Sequence, residues 1–202
     1  MKCCKIALTG GPGGGKTTAV DLFRREIGDE IVVVPEAATI LYSGGFPRSK
    51  NEEVRLATQR AIYHVQKNLE DIQANYYQGR VLMCDRGTID GAAYWPSDYK
   101  ENFFDHMKTT YEKELERYDA VIFFETAAVG GSSIEGGNPV RTESLKEAIQ
   151  IDKHLRDLWS KHPNFHIVNH SPSFIHKINE GLMVMYDLLN SIRGKSNSKT
   201  LP

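Results

Sequence analysis

Cysteine is scarce in this 202-residue chain, with three in all. Cys3 and Cys4 are neighbours and Cys84 stands alone, so metal-ligand spacing is absent and a disulfide framework is not indicated. All three read as reduced core residues of a cytoplasmic protein. Charge of one sign is lacking too: 25 Lys and Arg face 26 Asp and Glu, a net charge of −1. That balance argues against wholesale binding of nucleic acid or acidic membrane, though a local basic patch stays open. The longest apolar run, residues 120–124, is far too short for a transmembrane segment. No signal peptide is expected, because the N-terminus reads as a structural strand. Internal repeats and linker-like stretches are missing, so a single domain is expected over 1–193, with a flexible tail over 194–202.

Five short apolar runs are present, at 6–8, 31–34, 81–84, 120–124 and 165–168. They are near-continuous rather than alternating, as in strands covered on both faces. Helical patterns separate them. One follows residue 17. A long one runs from 52 to about 77, with Asn51 as cap, Gly79 as stop and Val54, Ile62, Val65, Leu69 and Ile72 as its apolar stripe. Others are expected at about 102–117, 143–158 and 173–192. The pattern predicts an α/β fold: a three-layer α/β/α arrangement around a five-stranded parallel sheet.

The most informative segment is Gly10-Gly11-Pro12-Gly13-Gly14-Gly15-Lys16-Thr17, which fits the phosphate-binding loop G-x-x-x-x-G-K-[ST]. Glycines let backbone N–H groups turn inward around a phosphate. Lys16 brings a compact cation to the β/γ-phosphates, Thr17 offers a hydroxyl to Mg²⁺, and the following helix adds its positive dipole end. A strand before and a helix after are the context the motif requires. Gly11, Pro12, Gly13, Gly14, Gly15, Lys16, Thr17 and Thr18 are therefore the candidate nucleotide-binding residues, with ATP and Mg²⁺ as the expected cofactors.

Further candidates leave the carboxyl ends of the strands, where open α/β sheets bind ligands. Asp85 ends the third strand and suits the Mg²⁺ shell, directly or through water. Arg86 beside it carries a planar donor fork suited to phosphate or carboxylate. Glu36 follows the second strand. It is placed to accept a proton from a substrate hydroxyl or to orient it, to bind Mg²⁺ through water, or to sit in solvent as a strand-end glutamate. Between the fourth strand and the next helix lies a glycine-hinged stretch, about 126–141, that reads as a lid. Arg141 at its end is positioned to reach a transferring phosphoryl group. The turn containing Tyr42, Phe46 and Arg48 and the aromatic cluster Tyr94, Trp95 and Tyr99 could wall a pocket for a flat ring. Gln59 stays open as a hydrogen-bonding residue, whereas Gln66 reads as solvent-facing. The seven histidines show no metal pattern.

The segments around Gly10–Thr17, Val34-Pro35-Glu36-Ala37-Ala38-Thr39, Cys84-Asp85-Arg86-Gly87 and Gly137-Asn138-Pro139-Val140-Arg141 together resemble the AAA-28-type P-loop family. That family includes the nicotinamide riboside kinase domain of the bacterial NAD regulator and translocation-defect proteins described as GTP-binding. More weakly, the chain is similar to deoxynucleoside and nucleoside-monophosphate kinases, whose site positions Glu36, Asp85, Arg86 and Arg141 match. The resemblance implies a P-loop phosphotransferase that moves the γ-phosphoryl of ATP to a nucleoside or ribosyl-type acceptor. The alternative is a nucleotide-binding switch or weak NTPase acting through a protein or lipid partner. No guanine-reading Asn/Thr-Lys-x-Asp motif follows a strand, which favours ATP. The expected partners are the nucleotide and a small-molecule acceptor, and a homodimer is compatible with the chain.

Overall fold

The computed structural model describes residues 3–96, 98–130 and 144–197. Five parallel strands form one sheet: β1 (Lys5–Thr9), β2 (Ile31–Val34), β3 (Val81–Asp85), β4 (Ala120–Phe124) and β5 (Phe165–Val168), in the order β2-β3-β1-β4-β5. Their side chains alternate between two buried faces, which is why the runs read as continuously apolar. Ile6, Leu8, Met83, Ile122 and Phe124 face α1 (Lys16–Ile27) and α7 (Phe174–Asn197), where Phe23, Ile178 and Met185 meet them. Ala7, Leu82, Cys84, Val121 and Phe123 face the opposite layer, closed by Leu155 and Trp159 of α6 (Leu145–Trp159). The expected three-layer α/β/α fold is thus the observed one.

Strand order reverses beside β1: β2 and β3 lie on one side of it and β4 and β5 on the other. The connection after β1 enters α1 on one face, whereas the segment after β3 packs on the other. A crevice opens at the carboxyl ends of β1 and β3, where Leu8 pairs with Asp85. The phosphate loop, Glu36, Asp85 and Arg86 all lie at this edge.

Several elements differ from expectation. The helix anticipated at 102–117 is two short pieces, α4 (Phe103–His106) and α5 (Tyr111–Leu115). Asn102 and Thr110 each cap one, accepting from the N–H groups of Asp105 and Lys113. A second cap inside the segment interrupts the helix, and Lys108 between them has a left-handed φ of 55°. A short helix, α2 (Ala37–Ser43), follows Glu36 and was not foreseen. α3 (Glu52–Tyr76) has its Asn51 cap, but its buried face is not the apolar stripe: Ile72 is 60% exposed, while Leu56, Gln59, Tyr63, Gln66 and Glu70 are buried. α3 packs over a polar interior, so hydrophobicity alone misplaces its inner face. α6 starts after a Ser144–Glu147 capping box, and α7 extends to Asn197, beyond the tail boundary expected at 194. Cys84 is buried as expected, but Cys3 and Cys4 are only partly so.

α7 crosses β4 at Gly181, where a Cβ would lie 2.6 Å from the ring tip of Phe124. Alanine would add about 1 kcal/mol of helix propensity. Overpacking a fixed core ring costs about 1–3 kcal/mol, and the fully buried Phe124 has little room to yield. Gly181→Ala is therefore expected to lower the denaturant midpoint despite its better helix propensity. An unchanged or raised midpoint would show that Phe124 can shift.

Candidate functional site

The loop between β1 and α1 is held from both sides. Gly10 has φ 130°, and a Cβ there would sit 2.0 Å from the Phe124 carbonyl oxygen, so only glycine fits against β4. The Gly14 N–H donates to the Gly11 carbonyl at 3.2 Å. One carboxylate oxygen of Asp152 on α6 accepts from the Gly11 N–H at 2.8 Å and from the Thr126 N–H at 2.9 Å. The Thr126 hydroxyl in turn donates to the Pro12 carbonyl. Lys16 is buried, its ammonium donating to the Gly10 and Gly11 carbonyls at 2.6 and 2.8 Å. Thr17 and Thr18 face solvent at the first turn of α1.

Glu36 stands at the cap position of α2, just past β2. The Thr39 hydroxyl donates to one of its oxygens and Arg86 Nε to the other. Burial pushes this carboxyl up, but the Arg86 charge, the Thr39 and Arg86 hydrogen bonds and Lys16 outweigh it and hold Glu36 below its ordinary value. Arg86 also donates to Asp90 at 3.0 Å. It adopts a left-handed φ of 71°, a conformation that costs a residue bearing a Cβ about 1–2 kcal/mol. Its N–H donates to the Leu8 carbonyl at 2.9 Å, and its carbonyl accepts from Gln66 Nε2 at 3.1 Å. Asp90 completes the cluster by accepting from the Thr9 hydroxyl and, at 2.7 Å, from the Trp159 indole.

Asp85 is buried beside these groups. Burial first, then the Glu36 charge, raises its carboxyl to about 6 against the opposing charges of Arg86 and Lys16. Arg86 therefore neutralises Glu36 and Asp90 rather than forming a pair with its sequence neighbour.

A cavity adjoins this cluster, with Pro12, Glu36, Tyr42, Gln59, Arg86 and Tyr94 in its wall. It meets the phosphate loop at Pro12. Arg48 lies 4.1 Å over the Tyr42 ring on the same wall. Of the aromatic cluster, only Tyr94 lines the cavity. Trp95 and Tyr99 meet edge to face along a wider neighbouring cleft, and the His106 ring packs against both. Gln59 thus faces the candidate ligand space. Gln66, expected in solvent, is 3% exposed and makes two backbone contacts instead. Arg141 and most of the stretch expected as a lid lie outside the described residues.

Sequence reasoning missed Asp90, Asp152 and Lys177. Lys177 is a buried lysine that donates to the Glu125 carbonyl, and burial depresses its pKa to about 8 despite the nearby Asp152 and Glu125 charges. Asp90 had a faint signal, sitting one helical turn from Arg86. Asp152 had none, since its partner Gly11 is 141 residues away.

The donor chemistry fits a nucleotide with Mg²⁺. The loop backbone offers N–H groups without side-chain obstruction, and Thr17 and Asp85 supply hard oxygens of the kind Mg²⁺ takes alongside phosphates and water. Among the described residues no cluster of three or more His, Cys, Asp or Glu could hold a metal by protein ligands alone. None of the described helices is long and apolar enough to cross a membrane.

A family model described as an AAA domain, of AAA-28 type, matches residues 5–174. The chain belongs to this AAA-28 family. No curated protein matches it. Among solved structures, this AAA-28 domain superposes on a deoxyadenosine kinase from M. mycoides with bound dATP, with TM-score 0.65 and 16% identity over 92% of this chain and 98% of that one. At that identity the likeness carries the fold, a parallel P-loop sheet of nucleoside-kinase type.

The raised Asp85 carboxyl has a consequence for stability. Its folded value lies above the ordinary 3.8, so the fold favours the protonated form. The ionised group then costs stability that sets in as pH rises above about 4 and is complete above about 6. Asp85→Asn is expected to gain about 1–3 kcal/mol at pH 7, by the conversion of a two-unit shift, and to gain little at pH 4. Mg²⁺-dependent nucleotide binding should weaken in the same variant. A thermal-unfolding series over pH 4–8 with a nucleotide titration checks both, and a loss of stability at pH 7 would contradict the assignment.

Proposed function

We propose that the chain is a Mg²⁺-dependent kinase that transfers the γ-phosphoryl of ATP to a nucleoside or another ribosyl-type acceptor. What carries the reading is the cavity that touches the phosphate loop at Pro12 and has the Glu36 carboxylate and Arg86 in its wall. A concave wall of mixed aromatic and polar side chains suits a small acceptor rather than a protein surface. The polar Gln59 amide and the Tyr42 and Tyr94 rings are the kinds of groups that bind a flat heterocycle.

In this reading ATP lies along residues 11–18 with its γ-phosphoryl toward the cavity. Glu36 accepts a hydrogen bond from the acceptor hydroxyl. Its depressed pKa keeps it ionised at neutral pH. It is a weak base, which suits a loose transition state in which the hydroxyl proton leaves late. The acceptor oxygen forms the new P–O bond, the bond to the β-phosphate oxygen breaks, and ADP departs. The acceptor proton ends on Glu36. Lys16 swings from the Gly10 and Gly11 carbonyls to the phosphates. Thr17 and Asp85 would hold Mg²⁺, which when bound would supply positive charge against the β/γ-phosphates. Arg86 uses two of its five donors on Glu36 and Asp90, leaving others for the phosphoryl oxygens. Arg141, at the end of the expected lid, is assigned to the same charge. Rate then comes chiefly from positioning and fixed charge.

A coupled ADP-release assay across nucleosides, nicotinamide riboside and nucleoside monophosphates tests this. Glu36→Gln is expected to reduce acceptor-dependent transfer about 10²–10⁴-fold while ATP affinity is kept. Lys16→Ala should lose both. ATP hydrolysis with no acceptor dependence across the panel would favour a switch or NTPase instead, and intact transfer in Glu36→Gln would remove the role given to that residue.

A further inference from the structure

We propose that Gln66 is a positioning residue that sets the geometry of the Glu36–Arg86 pair, an inference that rests on the kinase reading of that site. The β2–β3 ladder ends at the pair Val34 and Cys84. Beyond it the two chains diverge, one into Glu36 and α2, the other into Arg86. No ladder hydrogen bond joins them there. The Gln66 side chain bridges the gap: Oε1 accepts from the Ala37 N–H at 3.2 Å, and Nε2 donates to the Arg86 carbonyl at 3.1 Å. One amide thus holds the residue after Glu36 and Arg86 itself.

The chemistry of the position requires an amide. Ala37 opens α2, so its N–H has no partner within the helix. Arg86 is held at φ 71°, which aims its guanidinium at Glu36 and needs an outside restraint on its carbonyl. Only a group that accepts at one end and donates at the other serves both. The orientation of the amide is fixed from behind. Nε2 lies 3.5 Å from Glu70, a fully buried carboxylate that also accepts from Tyr118 at 2.6 Å and Arg117 at 2.7 Å. With Glu70 acceptor-only, the donating end of Gln66 must face it and Arg86, and the carbonyl end must face Ala37. A buried amide costs stability unless paired, and a packed apolar residue would serve the core as well. The amide is explained by the two backbone groups it aligns.

The test uses the full chain and two kinds of readout. Gln66→Met keeps the volume and removes both hydrogen bonds, while Gln66→Glu keeps the acceptor and loses the donor. Both are expected to lower kcat about tenfold to a hundredfold, as a small misplacement of reacting groups does. KM for ATP should stay within about threefold, because the phosphate loop is untouched. In the protein without ligand, the Arg86 Nε–H resonance in ¹H–¹⁵N spectra should shift or broaden in either variant. In the wild type, the Gln66 side-chain amide protons should exchange slowly with solvent. Rapid exchange in the wild type overturns the proposal without any variant. So does a folded Gln66→Met with wild-type kcat and an unmoved Arg86 resonance, or a parallel collapse of kcat, ATP affinity and thermal midpoint. If the wild type phosphorylates no acceptor, the kinase reading falls, and the resonance and exchange measurements still decide what Gln66 does.

Discussion

The Arg86 guanidinium lies largely buried between the Glu36 and Asp90 carboxylates, and the carboxyl edge of the sheet is arranged around it. Desolvating three charges costs several kcal/mol each, and mutual attraction offsets this only where the remaining lone pairs are also satisfied. They are satisfied. Glu36 has the Thr39 hydroxyl, and Asp90 has Thr9 and the Trp159 indole. Removing the cation would strand two carboxylates in a poorly hydrated pocket, a loss of about 3–5 kcal/mol for a buried pair. Three strand ends depend on this contact: Thr9 from β1, Glu36 after β2 and Arg86 after β3.

α6 supports the edge from one layer. Trp159 near its end reaches Asp90, and Asp152 earlier on the helix holds the Gly11 and Thr126 amides. The phosphate loop and the Glu36–Arg86 cluster are therefore braced by the same rigid element, one through a carboxylate and the other through an indole. The arrangement fits a site in which donor and acceptor halves must keep a set distance, since misalignment of reacting groups is costly in rate.

Much of this was legible in sequence because it is local. The five strands are short apolar runs whose burial on both faces leaves a compositional mark. The phosphate loop must follow a strand and open a helix, so its spacing carries its structure. Glu36 and Arg86 sit directly at strand ends and could be placed at the crevice without knowing their partners. The helix expected at 102–117 failed because Thr110 competes as a second cap, a choice that the aromatic packing of Phe103 and Phe104 against Tyr63 and Tyr111 decides. Gln66 failed for a related reason. On a helix with a polar inner face, hydrophobic periodicity points the wrong way, and Ile72 went inside on paper while Glu70 did so in the fold.

The sequence by itself determined the α/β class, the phosphate loop and the identity of the charged residues at the strand ends, because these depend on near neighbours and on backbone freedom at glycine. Only the tertiary structure decided which charges pair. Arg86 could have turned to Asp85 beside it; its left-handed backbone and the placement of α2 direct it to Glu36, 50 residues earlier, and to Asp90. The roles of Gln66, Asp90 and Asp152 were likewise settled by partners brought together across the sheet. A buried polar side chain takes its meaning from the groups that satisfy it, and those come from whatever the fold sets alongside.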